Sequence, residues 1–188
     1  MKIIGLSGTN GSGKDTVGHL LEKKHGYLFA DATAMLGAEL DKRGLTHERV
    51  NKAALSAEWR RESGMGVIVD KALEMFNAGD YKGLIVGSLR HPGEADRVHE
   101  IGGMVLWVDA EPQIRYDRIT SNNRGRVEDQ KTFEQFLAEE ASEMSPSGDT
   151  ATLNMGAVKE QADYVIQNNG NDIEQFKVDA EKTLASYL

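Results

Sequence analysis

Residues 8–16 read Gly-Thr-Asn-Gly-Ser-Gly-Lys-Asp-Thr, directly after the apolar run Ile3-Ile4-Gly5-Leu6 and directly before the helical pattern Val17, Leu20, Leu21. No other stretch limits the fold as tightly. A β-branched strand that runs into a glycine-rich turn and out into a helix is the setting of a phosphate-binding loop. Glycines let the main chain curl so that successive N–H groups face inward, and the helix N-terminus adds partial positive charge. Lys14 brings an ammonium to the β and γ phosphates of a nucleoside triphosphate. Gly8, Thr9, Asn10, Gly11, Ser12, Gly13, Lys14, Asp15 and Thr16 are the expected nucleotide-binding residues. The residue after the lysine is Asp15, where the general pattern has Ser or Thr. Asp15 can serve Mg²⁺, which prefers oxygen ligands. The preferred reading is that it favours the helix start electrostatically while Thr16 turns its hydroxyl to the α phosphate.

The rest of the chain alternates between the two periodicities. Strand patterns fall at 27–30, 83–88, 104–108 and 164–167, and helical patterns at 15–25, 33–43, 46–62, 67–77, 111–121, 132–144, 153–160 and 172–187. Thr46 is the expected N-cap of its helix. Gly83-Leu84-Ile85-Val86-Gly87 and Met104-Val105-Leu106-Trp107-Val108 are too continuously apolar for half-exposed strands and belong in a buried parallel sheet. The implied fold is α/β: a three-layer α/β/α sandwich with a five-stranded parallel sheet. The expected organisation is one domain over 1–188, with its core at 1–32, 80–120 and 160–188. A helical acceptor-binding insertion covers about 33–79 and a lid about 121–131. In such sheets ligands sit at the carboxyl ends of the strands. Here those ends carry the glycine-rich loop, Asp31, Ser88-Leu89-Arg90, Asp109 and Asn168-Asn169-Gly170.

Composition narrows the partners. A formal net charge of -8 argues against a surface that coats nucleic acid, so an anionic substrate has to be met by a local basic cluster. No cysteine is present, which removes disulfides and thiolate metal sites. The start Met-Lys-Ile-Ile leads straight into the first strand and no apolar run approaches a membrane span. A cytoplasmic protein without nucleic-acid or membrane partners, monomeric or homodimeric, is expected.

Phosphoryl transfer asks the protein for alignment and for neutralisation of phosphate charge. Arg90 follows a buried strand, where its fork suits an acceptor phosphate or carboxylate. Arg115 and Arg118 share a helix face, and Arg124-Gly125-Arg126 lies in the following polar loop. Together they suggest a basic lid over the triphosphate. Asp31 is the candidate catalytic base. For Mg²⁺ the candidates are Asp15, Thr16 and Asp109, since Gly87 stands where the third strand would otherwise present a carboxylate. Arg60-Arg61 reads equally well as an acceptor contact or a solvated helix face. The five histidines have no metal-ligand spacing, and Trp59 and Trp107 fit core positions.

Several of these runs also carry a family likeness: Gly8 to Thr16, Ser88-Leu89-Arg90, Val108-Asp109-Ala110-Glu111-Pro112 with Arg115 and Arg118, and Arg124-Gly125-Arg126. To them is added Ala162-Asp163-Tyr164-Val165-Ile166 with Asn168-Asn169-Gly170. Over nearly its whole length the chain resembles the nucleoside monophosphate kinase superfamily, and within it the dephospho-CoA kinase-like branch with its archaeal-type members. The resemblance implies an ATP- and Mg²⁺-dependent P-loop kinase acting on a small-molecule phosphate acceptor. It also implies that Asn168, Asn169 and Gly170 lie by the adenine. The chain departs from the family in two places. Dephospho-CoA kinases carry Asp-Ala-Asp where this chain has Asp31-Ala32-Thr33, and archaeal-type relatives carry Asp-Gly-Ile-Arg where it has Gly87-Ser88-Leu89-Arg90.

Overall fold

The computed structural model describes residues 1–121, 131–145 and 148–188. Strands β1 (Lys2–Gly8), β2 (Leu28–Asp31), β3 (Gly83–Gly87), β4 (Met104–Asp109) and β5 (Tyr164–Gln167) form one sheet in the order β2-β3-β1-β4-β5. Every pairing in it is parallel. The helices described are α1 (Lys14–His25), α2 (Ala32–Lys42), α3 (Arg49–Ser63), α4 (Val67–Asn77), α5 (Pro92–Glu100), α6 (Pro112–Ser121), α7 (Phe133–Met144), α8 (Met155–Glu160) and α9 (Ile173–Leu184).

Alternation along each strand sends neighbouring side chains to opposite faces. Ile3, Leu84, Val86, Val105 and Trp107 join one core cluster, with apolar residues of α2, α3, α4, α5 and α8. Ile4, Leu6, Ile85, Leu106 and Val108 join the other, under α1 and α9. Both faces are therefore covered, which is why the strands read as unbroken apolar runs rather than as alternating ones. Trp59 and Trp107 lie in the first cluster, as their sequence positions imply. The chain leaves β1 toward β2 and β3, then crosses to β4 on the other side. This reversal places the carboxyl end of β1, and so the glycine-rich loop, in a crevice between diverging connections.

Two local features differ from the sequence expectation. Helix α5 has no counterpart among the expected elements. It is capped by His91, whose Nδ1 accepts from Gly93 N–H at 3.0 Å, while Glu94 accepts from the N–H groups of Arg90 and His91 at 2.8 and 3.2 Å. Pro92 occupies the first helical turn. Only Ala95 and Val98 give α5 a buried apolar face, too little for a visible helical period. The helix can lie against β1 because Gly5 has no side chain: a Cβ there would sit 2.6 Å from Leu89 Cδ1 and 3.0 Å from Val98 Cγ2. The second difference concerns α3, which begins at Arg49 after Glu48 rather than at Thr46. The Thr46 hydroxyl accepts instead from Asn51 Nδ2 at 2.9 Å and holds the turn that precedes the helix.

Candidate active site

Strand β1 delivers the loop and α1 leaves it. Gly11 and Gly13 have φ of 80° and 97°, a left-handed conformation that side chains disfavour. A Cβ on Gly13 would lie 2.5 Å from Asn168 Nδ2, and one on Gly8 would collide with the Val108 carbonyl oxygen. Gly13 is also the N-cap of α1 and offers it no side-chain cap. The positive end of the helix dipole is thus left open toward the crevice. Among the described residues the buried hydroxyls Thr9 Oγ1 and Ser12 Oγ have no hydrogen-bond partner. A buried polar atom left unpaired costs about 1–3 kcal/mol. With Lys14 Nζ, whose ion-pair contact is Asp15 Oδ1 at 3.2 Å, these groups make a cradle whose donors fit a polyphosphate.

One wall of the cradle is built by arginines that bind main-chain oxygens. Arg115 is only 2% exposed. Its Nε donates to Ala110 O at 2.7 Å and its Nη1 to Asn10 O at 3.4 Å, while its fork meets Glu140 of α7, Nη2 to Oε1 at 2.8 Å. The guanidinium also lies over Phe136, 5.3 Å from the ring centroid. Arg118 Nη2 donates to Asn168 O at 2.9 Å and Gly170 O at 2.5 Å, and its Nη1 to Gly11 O at 3.4 Å. Burial holds the Arg118 guanidinium below its ordinary pKa. Asn168 completes the link, donating from Nδ2 to Ser12 O at 2.8 Å, and Asn169 Oδ1 accepts from Glu111 N–H at 2.8 Å. The structure therefore brings Arg115, Arg118 and the 168–170 turn to the loop, as tethers of its main chain.

The other wall opens into a cavity of about 530 Å³ at the carboxyl ends of β2 and β3. Lys14, Asp15, Asp31, Ser88 and Arg90 line it, together with Arg49, Lys52 and Arg60 of α3 and Glu139 and Glu143 of α7. Asp31 has two duties in it. Its Oδ2 caps α2 by accepting from Ala34 N–H at 3.2 Å, and its Oδ1 accepts from Ser88 Oγ at 2.7 Å. Ser88 has a φ of 62°, strained for a residue with a side chain, and that turn aims its hydroxyl at the carboxylate. Arg90 Nη1 donates to Glu143 at 2.7 Å. Arg60 is buried against Glu94, 2.7 Å away, and donates to Ala151 O at 2.9 Å, so it is neither an open acceptor contact nor a solvated charge. Arg61, by contrast, is exposed beside Asp149. Outside β2 a second cavity of about 660 Å³ shares Asp15 and Asp31 with the first, which leaves the Asp31 carboxylate on the wall between them.

Sequence reasoning did not reach Arg49, Lys52, Glu139 and Glu143. The signal available was Glu139, Glu140 and Glu143, whose three- and four-residue spacing shares a face of α7, but nothing local says what the face meets. Asp109 already has partners: it accepts from Lys159 Nζ at 2.7 Å and from Ala110 N–H at 3.0 Å. Thr16 N–H donates to Gly13 O at 3.0 Å in the first turn of α1. No group of three or more His, Cys, Asp or Glu among the described residues could hold a metal by itself. Arg124 and Arg126, and nearly all of the expected lid, lie outside the described residues.

The family model described as AAA domain matches residues 4–144. The chain belongs to the AAA domain family. A UPF0200 protein of Pyrobaculum aerophilum is 27% identical over 186 residues, covering 98% of this chain and 97% of the relative. A UPF0200 protein of Pyrococcus abyssi is 29% identical over 194 residues, covering 99% and 97%. Among solved structures, shikimate kinase from Bacteroides thetaiotaomicron superposes with a TM-score of 0.64 at 14% identity, covering 98% of each chain. Shikimate kinase from Acinetobacter baumannii in complex with shikimate gives 0.57 at 19%, covering 99% of this chain and 94% of the other. The fold of this AAA domain is that of the P-loop kinases. No helix among its described residues is long and apolar enough to cross a membrane.

Proposed function

We propose that the chain is an ATP-dependent small-molecule kinase that transfers the γ-phosphate to a nucleotide-like acceptor, a nucleoside or deoxynucleoside monophosphate. The observation that carries this reading is the continuity of the site. The loop ends at Lys14, and Lys14 lines the same cavity as Asp31, Ser88 and Arg90. A phosphate held by the loop and an acceptor oxygen held by the cavity would therefore meet at the carboxyl ends of β1, β2 and β3. Bound ATP would supply the transferable phosphoryl group, and Mg²⁺ would supply charge neutralisation on its phosphates.

The chain's own residues do the positioning. The loop amides, Ser12 and Lys14 hold phosphate oxygens. Thr16 at the helix start and Asp15, the carboxylate nearest Lys14, are the residues for Mg²⁺ or its waters; Asp109 is the weaker candidate because Lys159 holds it. Asp31, aimed by Ser88, orients the attacking oxygen, and takes up its proton where that oxygen is a hydroxyl, as it would be in dephospho-CoA. Arg90 anchors the acceptor's anionic group. Arg115 and Arg118 fix the loop and the 168–170 turn where a base would lie, and Arg124 and Arg126 stand as neutralisers of the transferred group on sequence grounds alone. The α2–α4 segment supplies the acceptor wall, in keeping with an insertion into a single kinase domain.

Dephospho-CoA is the alternative acceptor, on the strength of the resemblance carried by residues 162–170. A nucleotide-dependent switch with little transfer is the reading from a different class, favoured by Gly87 at the end of β3 where a carboxylate would serve the metal. Incubation with ATP, Mg²⁺ and a panel of monophosphates and dephospho-CoA, followed by assay of ADP, separates the three. ADP formed with one acceptor class names that class. Intact ATP binding with transfer to none of them selects the switch.

A further inference from the structure

Glu143 of α7 is gripped from two sides. Its Oε2 accepts from Arg90 Nη1 at 2.7 Å, and its Oε1 lies 3.4 Å from Arg49 Nη2. Each carboxylate oxygen thus faces one guanidinium. The two arginines come from unrelated places, the first turn of α3 and the turn after β3. They converge on the cavity that holds Lys14 and Asp31. Two forks meeting on one pair of oxygens is the arrangement by which proteins seize a carboxylate or a phosphoryl group. The contrast with the nearby Arg60–Glu94 pair is sharp. That pair is 2% and 1% exposed, whereas Arg90, Arg49 and Glu143 are 24%, 32% and 17% exposed. A pair that keeps contact with water can exchange one anion for another without stranding a charge in the interior. Arg49 also meets Glu139 at 3.1 Å, and Lys131 shares that carboxylate at 2.6 Å, so Glu139 keeps a cation when Arg49 turns away.

We propose that Glu143 is an internal substitute for the anionic group of the acceptor: an incoming oxyanion takes Arg49 and Arg90 from it. The word acceptor rests on the kinase reading; the oxyanion site between the two arginines does not. Glu143 then sets an affinity threshold, because only a group that binds the two forks more strongly than a tethered carboxylate occupies the site. The ligand class is a phosphoryl or carboxylate group on a molecule small enough for the cavity.

The test is calorimetric titration of inorganic phosphate at low ionic strength, where screening is least, into wild-type protein, Glu143→Gln, Arg49→Ala and Arg90→Ala. Any phosphate taken by the loop is common to all four proteins. Glu143→Gln keeps the shape and removes the competing charge, so phosphate should bind about fivefold tighter; each arginine variant should bind it at least about fivefold more weakly. Unchanged or weaker binding in Glu143→Gln, or unchanged binding in Arg49→Ala, overturns the proposal. Melting adds a second readout. Glu143→Gln should melt below wild type without phosphate and gain more degrees than wild type when phosphate is added; equal losses in both conditions make Glu143 a structural pair and overturn it. Acetate in place of phosphate distinguishes the sources, since a preference for either upholds the site and names the group. ATP turnover does not enter the readout, so a chain that transfers nothing still returns these shifts. An active kinase whose Glu143→Gln variant binds phosphate as wild type does keeps its kinase reading and loses this one.

Discussion

The two walls of the site use the same residue type in opposite ways. On the loop side, Arg115 and Arg118 hold carbonyl oxygens of Asn10, Gly11, Ala110, Asn168 and Gly170, which no ligand can displace without moving the chain, and Arg115 also pairs with Glu140. On the cavity side, Arg49 and Arg90 are committed to carboxylates at the ends of flexible side chains. The first wall is therefore braced through the main chain, and the second is the one that the proposal above makes exchangeable. This division suits a site that must hold one ligand class in a fixed pose while admitting and releasing another.

The comparison can be broken most forcefully at Lys14. Lys14→Ala should reduce ADP formation by about a thousandfold while leaving the melting temperature near that of wild type, because the charge acts on bound phosphate and not on the fold. Wild-type-like turnover would remove the cradle from the chemistry. Next in size is Arg115→Ala. It leaves Glu140 without its cation and the Asn10 carbonyl without that donor, which should cost about 2–3 kcal/mol in denaturant unfolding once the partial exposure of Glu140 is allowed for. Its counterpart Arg90→Ala should cost less than about 1 kcal/mol of stability but raise the acceptor KM about tenfold, with the KM for ATP nearly unchanged. If both arginines behave alike in unfolding, the two walls are not different in kind. If both KM values rise together, Arg90 leaves the acceptor side.

The smallest expected effect concerns the turn between β3 and α5. Burial holds the His91 imidazole below its ordinary pKa, and its Nδ1 must stay unprotonated to accept from Gly93 N–H while Nε2 faces Thr150 O at 2.7 Å. The unfolded chain therefore takes up the proton first as pH falls. The stability supplied by the neutral ring is complete above about 6.5 and declines as pH drops below it toward the lower folded value. Thermal melts should show a decline of a few degrees over that window. His91→Asn retains an acceptor for the cap and should flatten that limb; an unchanged pH profile would exclude His91 as its source.

How much could be read from the residues follows from where each signal is stored. The loop, the buried strands and the carboxyl-end positions of Asp31, Arg90 and Asn168 were legible because glycine spacing, apolar runs and strand ends are local properties. Helix α5 was not, since its cap is an imidazole and its apolar face has two residues, Ala95 and Val98. Arg60 could not be told from a solvated charge because its partner, Glu94, lies 34 residues away on an element that itself was hidden. The acidic face of α7 was visible as a spacing but had no meaning without its three arginines.

The sequence by itself determined a parallel α/β sheet with a phosphate-binding loop after its first strand, because backbone conformation and strand burial are written in short runs of residues. Only the tertiary structure decided which arginines brace main-chain carbonyls and which meet a half-open carboxylate. That choice depends on what stands opposite each guanidinium, a carbonyl of the main chain or a carboxylate on another helix, and the distance that brings them together exists only after the chain has folded.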